Sequence, residues 1–61
     1  MTIFEAERLA RFIPSTITHT IRQLGNGEYV IALFDKGDII FYIWEQNDLA
    51  RIPPRRKRGT T

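Results

Sequence analysis

A run of basic residues near the end of the chain gives the clearest indication of a chemical role. Arg55-Arg56-Lys57-Arg58 holds four of the nine Lys and Arg residues, which leaves five cations against seven carboxylates elsewhere in the chain. Clustered cations displace counterions from phosphates, so the run indicates contact with a nucleic-acid backbone. The predicted nucleic-acid-binding residues are Arg51, Arg55, Arg56, Lys57, Arg58 and Arg22. A solvated tail without a ligand, or contact with an acidic protein surface or a membrane, is the alternative interpretation.

Residues that commonly perform catalysis are sparse in this chain. His19 is the only histidine, and there is no cysteine. An acid–base pair of His19 with Asp35 or Asp38 would need a pocket that holds reacting groups in register. The same two carboxylates would need further oxygen ligands to hold a cation. We therefore expect no enzymatic activity, no metal and no cofactor.

The elements that position these side chains are organised around an apolar hairpin. Tyr29–Phe34 and Ile39–Trp44 are rich in β-branched and aromatic residues, which suit a pleated sheet. A two-residue loop at Lys36-Gly37 would make Asp35 and Asp38 the flanking pair, although Lys is a poorer first loop residue than Asn or Gly. A slightly longer turn is the alternative.

A second turn signal lies upstream of this hairpin. Asn26-Gly27 is the strongest short hairpin dipeptide, because a type I′ turn needs positive φ at both central residues. That turn would pair Leu24 with Tyr29 and send a strand back through Ser15–Leu24. The sequence therefore predicts a three-stranded antiparallel meander.

These two turns divide the side chains between two sheet faces. The face predicted to form the core carries Ile17, His19, Ile21, Gln23, Val30, Ala32, Phe34, Ile39, Phe41 and Ile43. The opposite face carries Thr16, Thr18, Thr20, Arg22 and Leu24, followed by an apolar set that comprises Tyr29, Ile31, Leu33, Ile40, Tyr42 and Trp44. One helix cannot cover both faces, so the apolar set is predicted to be an interface. A homodimer or larger assembly is the simplest occupant, and a foreign protein is the alternative.

The remaining segments complete an α+β domain. Thr2–Ile13 is predicted to be an amphipathic helix that Thr2 caps with Glu5 three residues on, and Pro14 ends it. Its apolar stripe is Ala6, Leu9, Ala10, Phe12 and Ile13. A short helical turn is expected within Glu45–Arg51. We expect one domain over residues 1–54 and a mobile basic tail over residues 55–61.

Residues 15–24 also fit a different element. Ile13, Ile17, Ile21 and Leu24 have helical spacing. The segment PSTITHTIRQL is similar to the recognition helices of winged helix-turn-helix regulators. The resemblance covers about a third of the chain, and the turn glycine of that motif is absent near Ala10–Phe12. The resemblance implies a transcription regulator whose wing is the hairpin, but three threonines favour a strand.

The leading expectation is a small, non-enzymatic, oligomeric nucleic-acid-binding protein that uses its basic arm for phosphate contacts. The alternative is a protein-interaction module, such as a small inhibitor or adaptor of the kind mobile elements encode, and a winged-helix regulator is third. No apolar run approaches the roughly 20 residues of a membrane span, and no signal peptide is evident. We therefore expect a cytoplasmic protein with no membrane partner.

Overall fold

A computed structural model describes residues 1–52 and confirms the predicted α+β layout. The elements are a helix α1 (Ile3–Ala10), strands β1 (Thr18–Gln23), β2 (Tyr29–Asp35) and β3 (Asp38–Ile43), and a 3-10 helix (Gln46–Arg51). The strands form one antiparallel sheet in the order β1-β2-β3. The predicted basic tail at residues 55–61 lies outside the described residues.

Helix α1 begins at the predicted cap and ends earlier than predicted. The Glu5 N–H donates to Thr2 Oγ1 at 3.1 Å, which satisfies one of the free amides of the first turn. The regular helix ends at Ala10, and the chain then tightens into turns in which the Ile13 N–H donates to the Ala10 carbonyl at 3.2 Å. Pro14 disfavours helical geometry at Ile13, so the chain does not continue as a helix beyond these turns.

The core lies between α1 and one face of the sheet. It comprises Ala6, Leu9, Ile13, Ile17, Ile31, Leu33 and Ile43, all buried. Tyr29, Phe41, Leu49 and Ile52 are among the partly buried side chains that pack against it. Phe12, which was predicted to lie in the apolar stripe of the helix, is instead 66% exposed.

The ambiguous segment is a strand. Thr18–Gln23 pairs along its whole length with β2, from Thr18 opposite Phe34 to Gln23 opposite Tyr29. The helical alternative for this segment is wrong, and with it the winged-helix architecture. Threonine side chains that crowd a helix fit readily on a pleated edge strand, and pairing with β2 outweighs the helical spacing of the isoleucines.

The first hairpin turn is longer than predicted. The Gly27 N–H donates to the Leu24 carbonyl at 3.1 Å, and the Leu24 N–H donates to the Glu28 carbonyl at 2.7 Å. Gly27 has φ +86°, whereas Asn26 is not left-handed. This is a three-residue loop with its left-handed residue at the third position. Leu24 therefore lies opposite Glu28 rather than Tyr29, and the register of β1 on β2 differs from the prediction by one residue.

The second hairpin has the predicted turn but an unpredicted bulge. Lys36 and Gly37 have φ values of 56° and 87°, as a type I′ turn requires, and Asp35 pairs with Asp38. Phe34 then pairs with Ile39, but Leu33 pairs with Phe41. Ile40 is the extra residue of a β-bulge, which shifts the rest of β3 by one position.

The longer loop and the bulge each shift a register by one residue, so β2 presents to α1 the face that was predicted to point away from it. Ile31 and Leu33 have no exposed surface and contact the helix side of the core, and Tyr29 packs there too. The prediction that these three residues lie on the outer face is therefore wrong. The predicted core-face positions of Val30, Ala32 and Phe34 are wrong for the same reason. The placements of Ile17 and Ile43 in the core are confirmed.

Candidate nucleic-acid interface

The sheet face turned away from α1 is the candidate site, and we call it the open face. The register places on it the strand residues Thr18, Thr20, Arg22, Val30, Ala32, Phe34, Ile39 and Tyr42, with Trp44 directly after β3. None of the five elements in the described part of the chain packs across this face; α1 and its core partners lie on the other side.

The centre of the open face is formed by Val30 and Ala32 of the middle strand. Ala32 pairs with Thr20 on one side and with Tyr42 on the other. Val30 and Ala32 are 2% and 0% exposed, so the surface that a ligand can reach on this face lies mainly on the outer strands. The result is a closed floor between two edges with exposed side chains.

The β3 edge of this floor carries two exposed aromatic side chains. Tyr42 is 39% exposed and Trp44 is 54% exposed. Their ring centroids lie 6.1 Å apart with an angle of 45° between the ring planes. This is within the range of favourable aromatic pairs, so each ring limits the freedom of the other while keeping surface available to a ligand.

A buried carboxylate fixes the backbone beneath Trp44. Asp48 Oδ2 accepts hydrogen bonds from the N–H groups of Trp44 at 2.8 Å and Glu45 at 3.3 Å. Asp48 is only 8% exposed, and its other oxygen, Oδ1, lies 3.6 Å from Arg51 Nη1. The 3-10 helix therefore returns a side chain to the end of β3 and sets the position of Trp44.

Cations on the open face come from both ends of the sheet. Arg22 is exposed on β1, where it pairs with Val30. Lys36 is exposed in the second turn. The alternation of β2 and β3 turns Asp35 and Asp38 to the other side of the sheet, so the strand positions of the open face carry no carboxylate. The electrostatics of this face thus favour an anionic ligand.

A shallow depression lies at the turn end of the open face. It has a volume of about 250 Å³ and is lined by Thr18, Thr20, Phe34, Lys36 and Gly37. Phe34 is half-buried and forms its apolar wall, while the two threonines supply hydroxyl groups. The depression therefore combines a ring, hydrogen-bonding groups and a cation within one small site.

Only some of the predicted site residues are exposed in the structure. Ile40, Tyr42 and Trp44 are exposed as expected, whereas Ile31 and Leu33 are in the core. The remaining predicted residues fall into three groups: Tyr29 packs on the core, Arg22 and Arg51 are exposed, and Arg55, Arg56, Lys57 and Arg58 lie outside the described residues.

Sequence reasoning missed Thr18, Thr20, Phe34 and Lys36 as members of one site. The sequence pattern predicts the threonines on the outer face and Phe34 on the core face, and it indicates no more than a turn at Lys36. The signal that could have joined them is the pairing of Thr18 with Phe34, which follows only from the three-residue loop.

The other chemical candidates gain no support from the described residues. His19 is exposed on β1 opposite Leu33. Within residues 1–52, no three His, Asp or Glu side chains are grouped so that they could hold a metal ion. Neither helix in this range is long and apolar enough to cross a bilayer.

A scan of the chain against protein-family models, and searches of curated proteins and of solved structures, found no match.

Proposed function

We propose that this protein is a small, non-enzymatic binding protein for single-stranded nucleic acid. Bases stack on the open face, and the basic run Arg55–Arg58 contacts phosphates. The observation that carries the proposal is the exposed Tyr42–Trp44 pair on a sheet face that α1 leaves uncovered, with Arg22 on the same face at the opposite edge strand. Aromatic platforms bordered by cations bind unpaired bases without needing a defined sequence.

The corrected orientation of β2 supports nucleic acid over protein as the ligand. With Ile31 and Leu33 in the core, the centre of the open face is Ala32 flanked by Thr20. A face of large aliphatic side chains would suit protein packing. The exposed side chains of this face are instead mainly hydroxyl groups, rings and cations, which suit bases and phosphates.

A single strand is favoured over a duplex for a geometric reason. Tyr42 and Trp44 present ring surfaces, and a ring can stack only on a base whose own face is accessible. Base–aromatic stacking contributes ~1–3 kcal/mol per base. The described residues offer two cations to this face and the basic run adds more, so binding should weaken as salt concentration rises.

The decisive experiment uses Trp44, the only tryptophan in the chain. Addition of short oligothymidylate or oligouridylate should quench its fluorescence. Trp44→Ala should weaken binding of a labelled oligonucleotide by roughly 5- to 150-fold, the equivalent of one lost stacking contact. Phe12→Ala is the matched control, because Phe12, at 66% exposure, is an exposed aromatic side chain in the turn after α1, away from the open face. It should leave binding unchanged.

The basic run is tested in the same assay. Truncation after Pro54 removes four cations, so the slope of log affinity against log salt should become shallower by up to about 3. Absence of binding to both DNA and RNA at low salt would refute the proposed function. Equal losses for Trp44→Ala and Phe12→Ala would refute the assignment of the open face.

A second candidate function rests on a different observation. Ile39 and Ile40 are 39% and 41% exposed beside Tyr42. Aliphatic side chains do not stack on bases, and an apolar patch of this kind marks protein contact. On this alternative, β3 is part of a homodimer or a protein-interaction surface, which sedimentation would reveal. The cytoplasm is the compartment we propose for either function, since a chain without cysteine suits a reducing environment.

A further inference from the structure

Lys36 adopts a backbone conformation that its residue type disfavours. Its φ is 56°, and within residues 1–52 it is the only non-glycine residue with positive φ. At the first central position of a type I′ turn, Asn, Asp or Gly is strongly preferred because a Cβ with a longer side chain is strained there. Backbone strain of this kind is often found at functional positions, where the side chain has a role that a better turn residue could not fill.

The ammonium group of Lys36 has no acidic partner in the described part of the chain. The ion pairs there join the Met1 amino group to Glu28 and Arg51 to Asp48. Asp35 and Asp38 stand on either side of the turn but form no ion pair with Lys36. Its charge therefore remains available to a ligand that enters the depression.

The depression has the components of a nucleotide-binding subsite. Lys36 supplies a cation for a phosphate, the Phe34 ring supplies a stacking surface, and Thr18 and Thr20 supply hydroxyl groups for a sugar or a base edge. Phe34 lies two residues along β2 from Ala32, the partner of Tyr42, which corresponds to about 7 Å along the strand. A second base can therefore be bound close to the one on Tyr42.

We propose that this depression binds one nucleotide of the bound strand, with its phosphate on Lys36 and its base on Phe34. This inference rests on the proposed function and deepens it. The single strand then crosses the open face from Trp44, at the start of the 3-10 helix, to the turn between β2 and β3. Lys36 contributes to affinity at a cost to the stability of the turn.

The test is a substitution that should move stability and binding in opposite directions. Lys36→Asn installs the preferred residue for a type I′ turn and removes the charge. The melting temperature should rise by about 4–8 °C, the shift that relief of modest strain produces in a domain of this size. Affinity for oligothymidylate and oligouridylate at low salt should fall by roughly 5- to 10-fold, and the salt slope should become shallower by about 0.7.

Lys36→Arg is the matched control, because it keeps both the charge and the strained conformation. It should retain the wild-type melting temperature and salt slope. If Lys36→Asn stabilises the fold but binds both oligonucleotides with unchanged affinity and salt slope, the subsite is refuted while the proposed function stands. If the wild-type chain binds neither oligonucleotide, the proposed function fails first and the subsite fails with it.

Discussion

Asp48 is the residue through which the 3-10 helix is predicted to stabilise the domain and position Trp44. Its Oδ2 accepts the Trp44 N–H at 2.8 Å in a largely buried setting. Hydrogen bonds to a charged group contribute ~1.5–3 kcal/mol. The second bond, from the Glu45 N–H at 3.3 Å, is longer than the usual range and should add little.

Asp48→Ala should therefore lower the free energy of unfolding by ~1.5–3 kcal/mol. A chain of 61 residues has a total stability of roughly 3–9 kcal/mol, so this is a large fraction. With a urea m-value of about 1 kcal/mol/M for a small domain, the midpoint of urea unfolding should fall by about 1.5–3 M. Far-ultraviolet circular dichroism and Trp44 fluorescence would follow the transition.

Two further variants separate the hydrogen bonds from the ion pair. Asp48→Asn keeps an oxygen that can accept the Trp44 N–H but loses the charge, so it should lose about half as much stability as the alanine variant. Arg51→Ala removes only a surface ion pair at 3.6 Å, which is worth at most about 1 kcal/mol. If Asp48→Ala is no more destabilising than Arg51→Ala, the hydrogen bonds to Asp48 Oδ2 do not stabilise the domain as predicted.

The remaining predictions test the orientation of β2 and the assembly state. Leu33→Ala should cost ~2–5 kcal/mol because the side chain is fully buried, whereas Ile40→Ala, at 41% exposure, should cost clearly less; equal losses would contradict the bulge and favour the predicted register. If the second candidate function holds, sedimentation should show a dimer or larger species that Tyr42→Ala shifts toward monomer, and a stable monomer at high micromolar concentration would count against it.

Much of the fold followed from the sequence because several local signals agreed. Thr2 and Pro14 limit the helix, glycines occupy both turns, and β-branched residues fill the strands. Each of these has a local physical cause that does not depend on the rest of the chain. Existence and order of the elements were accordingly predicted, including a strand at Thr18–Gln23.

The orientation of β2 could not be predicted in the same way. Residues 30, 32 and 34 are as apolar as residues 29, 31 and 33, so hydrophobic alternation does not distinguish the two faces of this strand. The geometry of the two turns therefore determines which face of β2 lies in the core. Asn26-Gly27 is compatible with a two-residue type I′ turn and with a three-residue loop that needs left-handed geometry only at Gly27.

Volume is the property that could have resolved the ambiguity. Ile31 and Leu33 are the larger pair and fill the space beneath α1, while the smaller Ala32 faces the other side of the sheet. A small residue in the middle of a central strand is a poor choice for a core that only one short helix covers.

The bulge at Ile40 links these structural features to function. It keeps Phe41 and Ile43 on the core side although β2 is turned over, so the core remains apolar on all three strands. It also places Tyr42 opposite Ala32 on the open face, where Tyr42 is 39% exposed. Without the bulge, Tyr42 would pair with Ile31 and face the helix. The same irregularity that completes the core therefore supplies the aromatic platform on which the proposed function depends.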